Sequence, residues 1–208
     1  MMSVAQLGPQ AGRYYTQALE EGGERAGYWL GDGPRDLGLH DPVTRAAFDD
    51  LACGTLADVR LVRNAGPAHF RGWDVTLSAP KSFSVLWALS DEPRRGELRA
   101  ALRAAVQSTV AQMEQEARTR LGAGGAVVQP VRGLVVAAFE HEISRPHAAQ
   151  LPDPNLHVHL AVFNVAYCIH GGGLHRDPLW DIVEQGIGLP FFLIKFVLFF
   201  LLMRKGEE

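Results

Sequence analysis

Residues 153–164 read DPNLHVHLAVFN, two histidines one residue apart inside an apolar run. Side chains of a β-strand point alternately to its two faces. His157 and His159 therefore share one face, while Leu156, Val158, Leu160 and Val162 take the other. The apolar side is suited to a core. The imidazole side calls for a reason of its own.

The neighbouring segments repeat this division. GLVVAAFEHEIS (133–144) reads as a strand with Val135, Ala137, Phe139 and His141 on one face. FRGWDVTLSA (70–79) alternates as well, with Trp73, Val75 and Leu77 one way and Asp74, Thr76 and Ser78 the other. SVAQL (3–7) is a shorter strand candidate, followed by a helix through GRYYTQALEEG and a Gly- and Asp-rich loop over 22–40. DPVTRAAFDDLACG (41–54) reads as a helix with Asp41 as N-cap, Pro42 in the first turn and Gly54 as the stop. PKSFSVLWAL (80–89) is a helix opened by Pro80. The longest helix is expected over 92–121, where Leu98, Leu102, Val106, Val110, Met113, Ala117 and Leu121 form one stripe. This order suggests an α+β fold: an antiparallel sheet of about five strands, helices packed on one face, and an open face carrying the histidines.

Composition narrows the chemistry. The chain has 208 residues and a formal net charge of −3, so any polyanion must be held by a local patch or a metal. Cys53 and Cys168 form no CxxC pair and imply no disulfide framework. With no basic-then-apolar leader at the N-terminus, a cytoplasmic location is expected.

Fifteen residues with a proline-bearing loop separate His141 from His157, which can set their strands side by side. Three neutral imidazoles would then form a facial metal site with open positions. The alternative is a set of surface or structural histidines. Asp74 can orient a ligated ring or serve as a base, or it can be a solvated aspartate at a sheet edge. Tyr14 and Tyr15 begin a helix; Tyr15 meets Leu19 at i+4 and packs, leaving the Tyr14 hydroxyl available, unless both are core aromatics. A tyrosine has a pKa near 10 and needs help to become a nucleophile.

GWDVTLSAPKSFSVLWAL, FEHEISR and DPNLHVHLAVFN occur in this order, with AGRYYT and YWLGDGPRDLGL upstream. In these motifs the chain resembles the HUH endonucleases, and among them the TrwC/TraI-type (MobF) conjugative relaxase domain, over residues 1–182. The resemblance implies a five-stranded antiparallel sheet flanked by helices. It implies one divalent ion on His141, His157 and His159, with Mg or Mn expected and Zn or Ni as alternatives. It implies that Tyr14 attacks a phosphodiester of single-stranded DNA at a plasmid transfer origin, leaving a 5′-phosphotyrosine and a free 3′-hydroxyl. It also implies proton transfer assisted by Asp74, other relaxosome proteins as partners, and no small-molecule cofactor. Lys81 and Ser82 at a helix start, and Arg145 in HEISR, are candidates for phosphate contacts; a solvated first turn and a loop cap are the alternatives. A rolling-circle replication initiator and an inactive fragment with weak DNA binding are the competing readings.

Two departures stand out. Many relatives carry a second tyrosine pair where this chain reads QALEEGGERAGYW, with only Tyr28, so a second nucleophilic role for Tyr15 or Tyr28 stays open. Relatives also continue past LHRDPLWDIVEQ with helices, whereas this chain turns apolar. Phe191 to Met203 are apolar except for Lys195, and a membrane span needs about 20 such residues. Residues 187–208 are therefore expected to be a truncation or frameshift product, with membrane association as the alternative.

Overall fold

The strand that carries His157 and His159 is β8, Pro154–Cys168, and it lies at the centre of the sheet, paired on both sides. The computed structural model describes residues 1–20, 26–121, 127–144 and 153–168. In chain order, the elements before it begin with β1 (Met2–Gln6), α1 (Ala11–Glu20), β2 (Tyr28–Leu30), α2 (Gly33–Asp36) and α3 (Arg45–Ala52). Then come β3 (Thr55–Leu56), β4 (Val59–Arg60), β5 (Gly72–Ser78), α4 (Lys81–Leu89), α5 (Glu92–Glu116), β6 (Arg118–Leu121) and β7 (Val127–Ile143). The main sheet runs β1-β5-β8-β7-β2, every pairing antiparallel, and β6 adds to β7 off this path.

The apolar face packs as the alternation requires. Val75, Leu77, Leu156, Val158, Leu160 and Val162 meet Phe83 and Trp87 of α4 and the α5 stripe from Leu98 to Met113. Full burial of each large aliphatic contributes roughly 1.5–3 kcal/mol. Asp91 caps α5 by accepting the Arg94 N–H at 3.0 Å, with Pro93 in the first turn. At its other end, Glu114 accepts the backbone N–H groups of Asp32 (2.7 Å) and Leu134 (2.8 Å), fastening α5 to the sheet. On α4, the buried Ser84 hydroxyl accepts the Leu156 N–H at 3.0 Å, tying the helix to β8.

Several expectations change in detail. The histidine face is open only at its histidine end. Elsewhere Phe48, Leu51 and Ala52 of α3 and Tyr15 of α1 cover Val135, Ala137, Ala161 and Phe163. The long helix ends at Glu116, because Ala117 is extended and Arg118–Leu121 pair with Val127–Pro130 as a hairpin. The N-cap of α3 is Thr44, which accepts the Ala47 N–H, while Asp41 accepts the Trp29 N–H. Gly54 stops that helix as expected, at φ +73°. Inside the expected 22–40 loop, Tyr28–Leu30 forms an edge strand on β7. Among the described residues no helix is long and apolar enough to cross a membrane. The apolar stretch 187–208 lies outside the described residues.

Candidate active site

Because β8 lies between β5 and β7, its histidine face receives residues from both neighbours. Thr76 sits opposite His159 and Ser78 opposite His157; on the other side His141 sits opposite His157 and Phe139 opposite His159. The three imidazoles form a triangle with ring centroids 5.1 Å, 5.2 Å and 5.2 Å apart. Nδ1 of His157 is 2.8 Å from the Asn155 carbonyl oxygen, and Nδ1 of His159 is 2.9 Å from Asp74 Oδ1. Oxygen acceptors at Nδ1 favour the proton there and leave the Nε2 lone pair for a ligand. As the rings stand, no group of three or more His, Cys, Asp or Glu among the described residues is drawn tightly enough to hold a metal ion. The donor set nonetheless fits one, since three imidazoles share one face and two already have the outer hydrogen bonds that metal-binding histidines carry.

Asp74 is the hub on the β5 side. It accepts from Tyr15, whose hydroxyl donates to Oδ2 at 2.5 Å, and from His159 at Oδ1. Thr76 Oγ1 is 3.2 Å and the Tyr15 hydroxyl 3.1 Å from the same His159 nitrogen. Burial pushes the Asp74 carboxyl upward, but the hydrogen bonds from His159 and Tyr15 and the nearness of His159 and His141 outweigh it. The pKa ends below the ordinary carboxylate value, so Asp74 is an anion at neutral pH.

The two tyrosines are sorted by the packing of α1. A Cβ on Gly12 would fall 2.0 Å from Asp49 Oδ1 and 3.1 Å from a Phe48 ring carbon, so glycine lets α1 approach α3 closely. At that distance Tyr15 drops between the helices and the sheet. It is 4% exposed and stacks on Phe139 at 4.7 Å and 13°. The expected partner side chain, that of Leu19, lies outside the described residues. Tyr14 is 43% exposed, with its ring 6.5 Å from that of His141 and 5.0 Å from that of Tyr15.

The remaining candidates fall elsewhere. Lys81 Nζ donates to the Pro154 carbonyl at 3.1 Å and pairs with Asp153 at 3.1 Å, bracing the start of β8; Ser82 is exposed beside it. Arg145 lies outside the described residues. Tyr28 is on the opposite, α5-bearing face, where its hydroxyl donates to Glu140 and Arg103 covers its ring. Burial and the Glu140 charge raise its pKa far above the ordinary value. It lies on the other side of the sheet from the histidines. His69, expected at the surface or in a loop, lies in the loop before β5 and is buried there at 2% exposure, and desolvation lowers its pKa. Sequence reasoning placed Thr76 on the correct face but assigned it no partner, and gave Gly12 no role. The separations are long: Asp74 is 85 residues from His159.

Comparison with known proteins bears on the fold and the family. The profile described as "TrwC relaxase" matches residues 3–181. The multifunctional conjugation protein TraI of Escherichia coli is 37% identical over 172 residues, 78% of this chain. This chain spans only 9% of that protein's length. A solved structure of the conjugative relaxase TrwC with oriT DNA, metal-bound, superposes with a TM-score of 0.82 at 26% identity, covering 99% of this chain and 71% of that one. A copper-bound TrwC–oriT complex matches with a TM-score of 0.79 at 29% identity, covering 99% and 71%. With its sheet order, its histidine face and these matches taken together, the chain belongs to the TrwC relaxase family.

Proposed function

We propose that residues 1–182 form a conjugative relaxase domain that nicks single-stranded DNA at a transfer origin through a covalent tyrosine intermediate. The observation that carries this reading is the meeting of an exposed Tyr14, the Asp74 carboxyl group and three imidazoles at one end of one sheet face. The Tyr14 oxygen attacks the phosphorus in line, and the bond to the 3′ oxygen breaks. The phenol gives up one proton and the departing 3′-hydroxyl takes one, leaving a 5′-phosphotyrosine. One phosphodiester replaces another, so the step needs no ATP and can run backwards to rejoin a strand. Asp74 holds the His159 ring through Nδ1 and keeps negative charge behind it.

A divalent ion on His141, His157 and His159 would draw charge from a non-bridging phosphate oxygen. Phosphate and water ligands favour Mg or Mn, while three imidazoles suit Zn or Ni. The TrwC structures described as metal-bound and copper-bound support an ion here without selecting it. Lys81, Ser82 and Arg145 are the phosphate-contact candidates. The Lys81–Asp153 pair is exposed and worth about 0–1 kcal/mol, so DNA can displace it. The partners are single-stranded DNA of the origin and other relaxosome proteins in the cytoplasm; TrwC is solved in complex with oriT DNA.

The test is to incubate the chain with single-stranded origin oligonucleotides and Mn²⁺. A protease-sensitive protein–DNA adduct, suppressed by chelator and mapped by peptide sequencing to Tyr14, is the expected result. No adduct with any origin sequence would overturn it. His157→Ala is expected to weaken Mn²⁺ binding by more than about 100-fold, beyond what an outer hydrogen-bond partner contributes. The fold should persist, because His157 points away from the Val158 core face. An unfolded variant whose folded remainder binds Mn²⁺ normally would make that histidine structural.

A further inference from the structure

We propose that Tyr15 is a positioning residue and not a second nucleophile: its hydroxyl fastens α1 to Asp74 and, through Asp74, fixes the His159 ring. This deepens the relaxase reading and rests on it. Tyr15 is 4% exposed, its ring lies flat on Phe139, and it meets the Phe48 ring at 6.1 Å. Its hydroxyl bridges elements far apart in the chain, donating to Asp74 Oδ2 at 2.5 Å and lying 3.1 Å from His159 Nδ1.

A nucleophile must bring its oxygen to a phosphate in line with the leaving group. Tyr15 could do so only by leaving Phe139, leaving Asp74, and turning α1 about its axis, which Gly12 has pressed against Asp49 and Phe48. In its observed place the hydroxyl performs a different task. Asp74 has two oxygens; Tyr15 occupies one, so the other is aimed at His159 in a single orientation. Thr76 closes the third side of the same nitrogen. The helix that presents Tyr14 is thereby tied to the ring that presents an Nε2 donor. A small displacement of a reacting group is costly in rate, and this link sets the distance between nucleophile and histidine face.

The test variant is Tyr15→Phe, which keeps the ring and its stack on Phe139. In the metal-free protein, ¹⁵N spectra of the His159 ring should show a lower share of the Nδ1–H tautomer. Mn²⁺ affinity by calorimetry should fall about tenfold. Single-turnover adduct formation at saturating Mn²⁺ should slow, with all DNA still on Tyr14. Asp74→Asn should give the same spectral change, and adding Tyr15→Phe to it should alter Mn²⁺ affinity by less than about twofold, since both act through one contact. A merely structural Tyr15 would give additive losses, which would overturn the proposal. So would an unchanged His159 spectrum, or DNA recovered on Tyr15. A wild-type chain that forms no adduct sinks the nicking reading, while the ring spectrum still decides the role of Tyr15.

Discussion

Tyr14→Phe is expected to reduce covalent adduct formation on the order of 10⁴-fold or more, the scale on which losing a nucleophile acts. The substitution deletes one oxygen from a ring that is 43% exposed, so little packing is lost. The Asp74 carboxylate takes its hydrogen bonds from Tyr15 and His159. Melting temperature, Mn²⁺ affinity and binding of uncleaved single-stranded DNA should therefore stay within experimental error of the wild type. A denaturing gel with labelled oligonucleotide reads the adduct directly. Persistence of the adduct at wild-type level would remove Tyr14 from the reaction.

Gly72→Ala should cost more stability than any change at the site. Gly72 opens β5 at φ +132°, a region that side chains with a Cβ rarely enter. An added Cβ would lie 2.0 Å from the Val162 carbonyl oxygen and 3.0 Å from Asn164 N and Phe163 Cα. These are backbone atoms of the central strand, so no side-chain rotation relieves the clash. Backbone strain alone is about 1–3 kcal/mol. Displacing β5 from β8 raises the expected loss above about 4 kcal/mol, a large part of the 5–15 kcal/mol that typically separates folded from unfolded domains. Urea denaturation would reveal it as a lower midpoint at unchanged slope. A loss under about 1 kcal/mol would mean that this pairing is softer than its geometry implies.

What the sequence disclosed, and what it hid, follows from the range of the forces involved. Alternation in 70–79, 133–144 and 153–164 exposed the two faces of β5, β7 and β8, because one face was apolar and burial is the strongest pattern-forming term. The pairing of His141 with His157 followed from a short connection. Asp41 reads as the N-cap, yet it accepts the Trp29 N–H of the edge strand β2, and Thr44 caps the helix in its place. Ala117 and Leu121 extended the helical stripe on paper, yet the hairpin with Val127–Pro130 took that segment into the sheet. Tyr28–Leu30 is three residues long and partly exposed, too short for alternation to register. The bond from Tyr15 to Asp74 crosses 59 residues, and nothing in the spacing of either motif encodes it. Residue types at the site were legible, as was a packed Tyr15 beside an exposed Tyr14; the close approach of α1 to α3 at Gly12 was not.

The strand order β1-β5-β8-β7-β2 has a consequence for synthesis on the ribosome. The last strand among the described residues belongs in the middle. Until Pro154–Cys168 has emerged, β1 with β5 and β7 with β2 are separate fragments, each presenting an unpaired edge to any neighbouring chain. Pairings this distant in sequence form slowly, and exposed edges invite aggregation meanwhile. Pairing of β8 with β5 and β7 closes both edges and brings His157 and His159 to Asp74 and His141. The nascent chain thus completes its histidine triangle at the moment it loses its most adhesive surfaces.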